Sequence, residues 1–325
     1  MIYIENDSLD PYFNFALEYY LLKELDLKDD VFLFWRTVPT LMIGKHQNTI
    51  EEINCNYVKE KKICVVRRIT GGGTIYTDPN GWQFSYIIKK PFMNIDFTEY
   101  VKPVINALAK QGIEANYNDR NDIYIKGKKI SGNSQYCDER CGLHHGSILF
   151  NTDLNELVKA ITVSDDKIIS KGLKSVRERV TNVKDHFDRK INSNAFKNLI
   201  VDEILRNNDK RYVLTLKDID RVNEIRDQKF KSWEWNYGKS PKFNIIKSKR
   251  YEGGKIEFHL NIKQGCITEC KIYGDFFCKG DIDYVSCSLA GCFYKEDNIR
   301  AVLKEINAES IFYKFSIDEL VNCLI

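Results

Sequence analysis

The sequence predicts an α+β protein in two units, residues 1–245 and 246–325. Three observations lead to it. Over the first 245 residues, short apolar runs bounded by turn residues alternate with stretches of helical spacing. From about residue 246 the chain becomes strand-rich and then helical, as a small unit with its own core would be. A chain of 325 residues also ordinarily divides into about two domains.

Taken in order, Asp10-Pro11 reads as a helix N-cap followed by proline in the first helical position. Phe13, Leu17, Tyr20, Leu21 and Leu25 continue at helical spacing. Val31 to Arg36 and Thr40 to Ile43 read as strands, separated by Pro39 and closed by Gly44-Lys45-His46-Gln47-Asn48. Ile63 to Arg68 and Gln83 to Ile88 are further strands, so the glycine turn between them is expected to join neighbours in a sheet. Thr98 is placed to cap a helix running to Gln111, with Gly112 as its stop.

Asp122 to Ile125 and Lys129 to Ser131 flank Lys126-Gly127-Lys128 as a β-hairpin with glycine at its turn. Gly146 to Phe150 continues as strand and Leu154 to Ile161 as a short helix. Helices resume at Asn194 to Arg206 and Leu216 to Arg226. In the second unit, Gly253-Gly254 turns a hairpin between Lys249-Arg250-Tyr251 and Lys255 to Leu260, and Asn298 to Ile306 is helical.

Composition narrows the function. Hydrophobic residues at 43% and charged residues at 29% describe an ordinary globular protein. Lys+Arg of 49 against Asp+Glu of 46 gives no global electrostatic case for a nucleic-acid binder, so any anion site is local. No run approaches the ~18 apolar residues of a membrane span, and Met1 to Asp7 lacks the parts of a secretion signal, so a cytoplasmic location is expected. Ten cysteines are scattered without a paired CxxC framework, which favours reduced thiols.

Arg67-Arg68-Ile69-Thr70-Gly71-Gly72-Gly73-Thr74-Ile75-Tyr76 carries the densest chemical signal. Three glycines in a row cost folding entropy. A backbone without Cβ atoms can bring several N–H groups against an anion, and the guanidinium groups can fork onto a carboxylate or phosphate. A flexible hairpin loop with a solvated arginine pair is the bland alternative.

Three other stretches carry weaker signals. Lys167, Lys171, Lys174, Arg177 and Arg179, within residues 165–190, read as a solvated loop, with a lid over a polyanion as the functional alternative. Gly238-Lys239-Ser240 is not a P-loop, because Trp233 stands where the motif needs its first glycine. Cys137, Cys141, His144 and His145 invite a zinc reading, but adjacent histidines on a strand face opposite sides and cannot both reach one ion without a bulge.

Five stretches taken together resemble the lipoate-protein ligase family: Arg67 to Tyr76, Arg120-Asn121-Asp122, Lys128 to Asn133 with His144-His145-Gly146, Lys171 to Asn182, and Ser232 to Gly238. The resemblance implies a biotin/lipoyl-ligase-like fold: a mixed-sheet catalytic domain with helices over 1–245 that binds lipoate and ATP, and a small α+β accessory domain over 246–325. It implies that (R)-lipoate and MgATP form lipoyl-AMP and pyrophosphate, after which the lipoyl group passes to a lysine of a lipoyl domain. The acceptors implied are E2 subunits of 2-oxoacid dehydrogenases or the glycine cleavage H protein, with no nucleic-acid or membrane partner.

By motif match the resemblance makes Lys129 the catalytic residue. Arg68, Gly71, Gly72, Gly73, Thr74, Ile75, Tyr76, Asp122, Lys171, Ser175 and Arg177 become nucleotide or lipoate contacts. Lys129 suits a point where carboxylate and phosphate meet, being a compact charge that can touch both. Asp122 either neutralises that lysine or holds Mg2+, which takes oxygen ligands. Val66, Ile75 and Phe84 are candidates for an apolar slot around the lipoate tail. The chain departs from the family where Thr77 precedes Asp78, a place the family gives to histidine.

Two rivals are weighed. An octanoyl or lipoyl acyltransferase of the same fold needs an activated cysteine near the lysine. Asn118 to Asp122 offers none, and Cys137 and Cys141 come after the lysine. A non-catalytic lipoate-binding protein would have no use for phosphate contacts, which Lys129 and the basic loop suggest.

Overall fold

The computed structural model describes every residue except 91–94, 119–120, 162–175, 177, 206–209 and 238–244, and every side chain in the described part except those of residues 50 and 51. The strands run in chain order as β1 Ile2–Ile4, β2 Val31–Trp35, β3 Thr40–Ile43, β4 Cys64–Arg67, β5 Ile75–Thr77, β6 Trp82–Ile88, β7 Ala115–Tyr117, β8 Asp122–Ile125, β9 Lys128–Cys137, β10 Gly142–Ile148 and β11 Lys210–Tyr212. Eight of them form one mixed sheet in the order β11-β1-β2-β6-β10-β9-β8-β7, and β3 lies between β4 and β5 in a small second sheet.

Strand alternation decides what each face of the large sheet does. Phe32, Phe34, Phe84, Tyr86 and Ile148 point to one side and pack against the helices Thr98–Ala109 and Ser193–Ile204. That side is a largely apolar core with stacked rings, Phe34 on Trp82 and Phe150 on Phe196. Leu33, Trp35 and Leu143 point to the other side, toward the helix Pro11–Lys23 and the small sheet. The same side carries Ser85, Gln83 and His145, all buried. Polar groups placed in that layer must find partners there.

The opening helix begins as its sequence suggests, with Asp10 accepting from the Tyr12 N–H and Pro11 in the first turn. Lys126 and Gly127 both take positive φ at the tip of the β8–β9 hairpin, as a tight two-residue hairpin turn requires. Two expectations are corrected. The strands flanking the glycine turn are not neighbours: β4 and β5 pair with opposite edges of β3, and β6 belongs to the other sheet. The turn therefore vaults over the end of β3. Thr98 is the first helical residue and not the cap, and its N–H is taken by the carboxylate of Asp96.

From Ile245 the chain builds a second layer, with antiparallel strands β12 Ile245–Tyr251, β13 Gly254–Lys263 and β14 Cys266–Gly274. Ile256, Phe258 and Leu260 pack with the helices Ile282–Leu289, Glu296–Glu305 and Ile317–Leu324 around a separate core. This layer is seated on the first through Phe277, whose ring lies 5.6 Å from that of Phe97 and joins the large-sheet core. All ten cysteines are free thiols, and among the described residues no helix is long and apolar enough to cross a membrane.

The helix Leu216–Ile225 is held to the opening helix by one carboxylate. Asp218 closes a capping box with Thr215 and accepts from the hydroxyls of Tyr20, at 2.6 Å, and Tyr212, at 2.8 Å. Burial pushes this carboxyl up, but the hydrogen bonds from Tyr20, Thr215 and Tyr212 outweigh it and hold the pKa at about 2. A group lowered in the folded state contributes stability above its unfolded pKa of 3.8 and loses it as pH falls toward about 2. Urea midpoints followed from pH 5 to pH 2 should fall less steeply in Asp218→Asn than in the native chain. At pH 7 the variant should be less stable by about 2 kcal/mol, the worth of hydrogen bonds to a buried charge.

Candidate active site

Arg67 ends β4 and Arg68 follows it directly; the two side chains go to opposite faces, and each organises a different piece of the site. Arg67 donates through Nη1 to the carbonyls of Gly44, Lys45 and Gln47, through Nη2 to Thr49, and through Nε to the Trp235 carbonyl. Arg68 gives Nη1 to the Met42 carbonyl, Nη2 to the carbonyls of Gly71 and Gly73, and Nε to the Thr70 hydroxyl. Burial lowers the two guanidinium groups to about 10 and about 9. Both stay cationic at neutral pH. The expected fork onto a substrate anion is, in this geometry, a fork onto the turn itself: Arg68 curls Gly71 to Gly73 around its own charge.

Neighbours fix the turn from the other side. Gly44 lies so close beneath it that a Cβ there would come within 1.9 Å of the Gly72 carbonyl oxygen. The Gly72 N–H, one of the donors expected to cradle an anion, is given to the carbonyl of Phe276 in the second layer, at 3.1 Å. The Ser134 hydroxyl donates to the Gly71 carbonyl at 2.8 Å.

A cavity opens between this turn and the large sheet. Its polar end is formed by Lys129, Gly132 and Ser147, and its apolar end by Phe15, Trp35, Met42 and Ile75. Of the apolar candidates read from sequence, Ile75 lines the cavity, whereas Val66 and Phe84 are fully buried in the two cores. Thr74 also lines it, and its hydroxyl donates to the Gln47 side chain. Tyr76 points into a third core, under the small sheet.

Lys129 lies across Gly132 with its ammonium 2.7 Å from Asp122 Oδ1. Asp122 and Gly132 are cross-strand partners, so the ion pair is built into the sheet register. Asp122 Oδ2 accepts from Tyr124 at 3.2 Å. Both carboxylate oxygens thus have protein partners, an arrangement for holding a lysine more than for a dedicated metal site. The Lys129 carbonyl accepts the Thr181 N–H at 3.1 Å, which brings the chain back beside the lysine after the basic segment. Lys171, Ser175 and Arg177, like Arg120 and Gly238-Lys239-Ser240, lie outside the described residues.

One feature of the site was missed in sequence reasoning. Glu18, 1% exposed, accepts from Ser85 and faces His145 Nδ1 at 3.2 Å; His145 Nε2 in turn lies 2.7 Å from the Thr70 hydroxyl, which accepts from Arg68. With Nδ1 carrying the proton, every donor in this chain points to an acceptor. The charge of Arg68 is offset by Glu18 through that buried path. The available signal was an acid on the apolar face of a helix, flanked at helical spacing by Phe15, Leu21 and Leu22.

The histidines behave as strand alternation requires. His144 sits on the far face, stacked on Tyr100 at 4.7 Å and held well below the usual imidazole range by burial. Among the described residues no group of three or more His, Cys, Asp or Glu is placed to hold a metal ion. Burial raises the thiols of Cys137 and Cys141, the opposite of what an acyl-transferring nucleophile needs.

Residues 10–205 match the lipoyl protein ligase A/B catalytic domain, and residues 240–324 match the bacterial lipoate protein ligase C-terminus. The chain belongs to the lipoate-protein ligase family. It is 40% identical to the lipoate-protein ligase LplJ of Bacillus subtilis over 330 residues that cover all of both chains. Among solved structures it resembles P. falciparum LipL1 in complex with lipoate, with a TM-score of 0.83, 25% identity and 99% and 98% of the two chains covered.

Two further family structures match over the first part of the chain. The bipartite lipoate protein ligase of Thermoplasma acidophilum, described with its E2 lipoyl domain, gives a TM-score of 0.65 at 27% identity, covering 75% of this chain and 98% of that one. A lipoate-protein ligase A bound with ATP gives 0.62 at 25% identity, covering 73% and 98%. Family members thus present lipoate and ATP on this architecture. The ion pair at the cavity mouth yields a test: a Cβ at Gly132 would come 3.0 Å from Lys129 Nζ and 3.2 Å from Cε, and only the flexible ammonium can give way. Gly132→Ala should keep its thermal melting profile while lipoate-dependent pyrophosphate release drops on the order of tenfold to a hundredfold, the effect of misplacing a reacting group by about 1 Å.

Proposed function

We propose that the protein activates (R)-lipoate with MgATP to lipoyl-AMP and transfers the lipoyl group to a lysine of a lipoyl-domain protein. The observation that carries this reading is the cavity itself. It is apolar at Trp35 and Met42, and it ends at a lysine pinned by Asp122 opposite a glycine turn. An aliphatic acid with a ring at its far end fits with its carboxylate at Lys129. There the carboxylate oxygen attacks the α-phosphorus, the bond to the bridging oxygen breaks, and pyrophosphate leaves.

Lys129 is the catalytic residue in this reading. Its ammonium bridges carboxylate and α-phosphate and stabilises the charge that gathers on the phosphoryl oxygens, in a setting where water competes poorly. Asp122 holds that ammonium in place before substrate arrives. Magnesium would enter as part of MgATP; among the described residues no group of three or more carboxylates is placed to cage it. In the second step the acceptor amine attacks the acyl carbonyl, AMP departs, and the amine proton is lost to solvent.

By the family resemblance, Arg68, Gly71 to Ile75 and Asp122, together with Lys171, Ser175 and Arg177, supply the remaining nucleotide and lipoate contacts, whereas the Tyr76 side chain is turned into the third core. We divide the chain into a catalytic domain over 1–245 and an accessory domain over 246–325. Acceptors are lipoyl domains of 2-oxoacid dehydrogenase E2 subunits or the glycine cleavage H protein. A cytoplasmic location accords with ten unpaired thiols.

The test mixes the purified full-length chain with lipoate, MgATP and an apo lipoyl domain, then weighs the acceptor and measures pyrophosphate. A lipoyl mass increment and matching pyrophosphate are expected; absence of both sinks the reading. Lys129→Ala should lose both products by about a hundredfold or more while its circular dichroism spectrum stays that of the native chain.

A further inference from the structure

Gln83 lines the cavity, and the proposed reaction leaves its chemistry unused. It is 3% exposed and sits on β6 between Trp35 of β2 and Ser147 of β10, its cross-strand partners. In the structure its amide Nε2 donates to the Thr77 hydroxyl at 3.0 Å, and its Oε1 is buried without a hydrogen-bond partner. A buried amide end left unpaired is unfavourable unless a ligand or water completes it. The Thr77 hydroxyl can donate to the amide oxygen or accept from its nitrogen, so either end of Gln83 can face the cavity.

Position in the sheet says what that ligand group is. Lys129 lies over Gly132 of β9, and the Ser147 hydroxyl of β10 lies 3.5 Å from the Gly132 carbonyl. Gln83 is one strand further on, two strand spacings from the lysine, or roughly 10 Å. A C8 acid anchored by its carboxylate at Lys129 brings the far end of its chain to that distance. Phosphates, ribose and carboxylate all belong at the lysine end. Phe15, Trp35, Met42 and Ile75 supply the apolar lining. The Arg68 and His145 side chains that also line the cavity are committed to protein partners, which leaves the Gln83 amide to recognise a polar feature at the end of an otherwise apolar tail.

We propose that Gln83, oriented by Thr77, reads the dithiolane sulfur of lipoate and thereby sets lipoate apart from an unsubstituted C8 acid; the inference rests on the lipoate-activating reading of this cavity. With its oxygen accepting from Thr77, the amide turns its N–H groups toward the cavity. Divalent sulfur is a weak but polarisable acceptor. The methylenes of octanoate accept nothing and leave the amide unpaired.

The experiment measures kcat/KM for MgATP-dependent activation of lipoate and of octanoate by the full chain, read as pyrophosphate release. In Gln83→Leu the lipoate-to-octanoate ratio should fall by about tenfold, the scale on which one small substituent is discriminated. Thr77→Val should lower it in the same direction, and Thr77→Ser, which keeps the hydroxyl, should hold it near the native ratio. A native ratio retained in Gln83→Leu overturns the proposal while leaving the ligase reading intact. If Gln83→Leu does not fold, an unchanged ratio in Thr77→Val overturns it equally. Failure of the native chain to activate either acid overturns the ligase reading and this inference together.

Discussion

The site depends on two buried cations placed back to back. Because successive residues of a strand face opposite sides, Arg67 and Arg68 send their guanidinium groups into different layers, and each is surrounded by carbonyl oxygens. Arg67 gathers the loop Gly44 to Gln47, Thr49 and the helix Trp233–Asn236: its Nη2 also donates to the Asn236 carbonyl, and the Trp235 indole donates back to the Arg67 carbonyl. Two stretches distant from it in sequence share one charge. Removing a cation so enclosed would leave several carbonyls without partners, a cost larger than the net worth of any one hydrogen bond.

Arg68 does the same for the catalytic layer, and its counter-charge lies on the opening helix. The path from Glu18 through His145 and Thr70 to Arg68 links that helix, the large sheet and the glycine turn. The second layer completes the enclosure. Phe276 accepts from Gly72, the ring of Phe276 stacks on His46 at 5.0 Å, and Cys278 Sγ approaches His46 Nε2 at 2.9 Å. His46 is held well below the usual imidazole range by burial, with Lys45 and Arg67 adding repulsion. A neutral ring there can sit beside two cations where a charged one could not.

Legibility in the sequence followed the range of the interactions. Elements with a local signature were visible: the Asp10-Pro11 helix start, the Lys126-Gly127 hairpin, and the strand β6 with its apolar residues. Long-range pairings were not. Nothing near Ile75 announces that β5 crosses to the far edge of β3, and β1, β7 and β11 are three-residue strands too short to show alternation. In the site, the Lys129 hairpin and the glycine turn could be read from residues and resemblance. The Glu18 to Arg68 path could not, since its members come from three separate segments and nothing local pairs them.

The three glycines of the turn can now be told apart. A Cβ on Gly71 would come 2.3 Å from the Phe276 carbonyl oxygen, so that position is bare because the second layer sits on it. Gly72 has φ of +93°, a conformation other residues adopt at a cost. Neither reason applies to Gly73. The nearest atom to a Cβ there is Asp275 Cβ at 3.7 Å, an ordinary contact, and the backbone is not left-handed. Packing and conformation would both admit alanine, yet Gly73 lines the cavity and gives its carbonyl to Arg68. What its missing side chain leaves free is the approach to the backbone from the cavity, where the proposed reaction brings a phosphate.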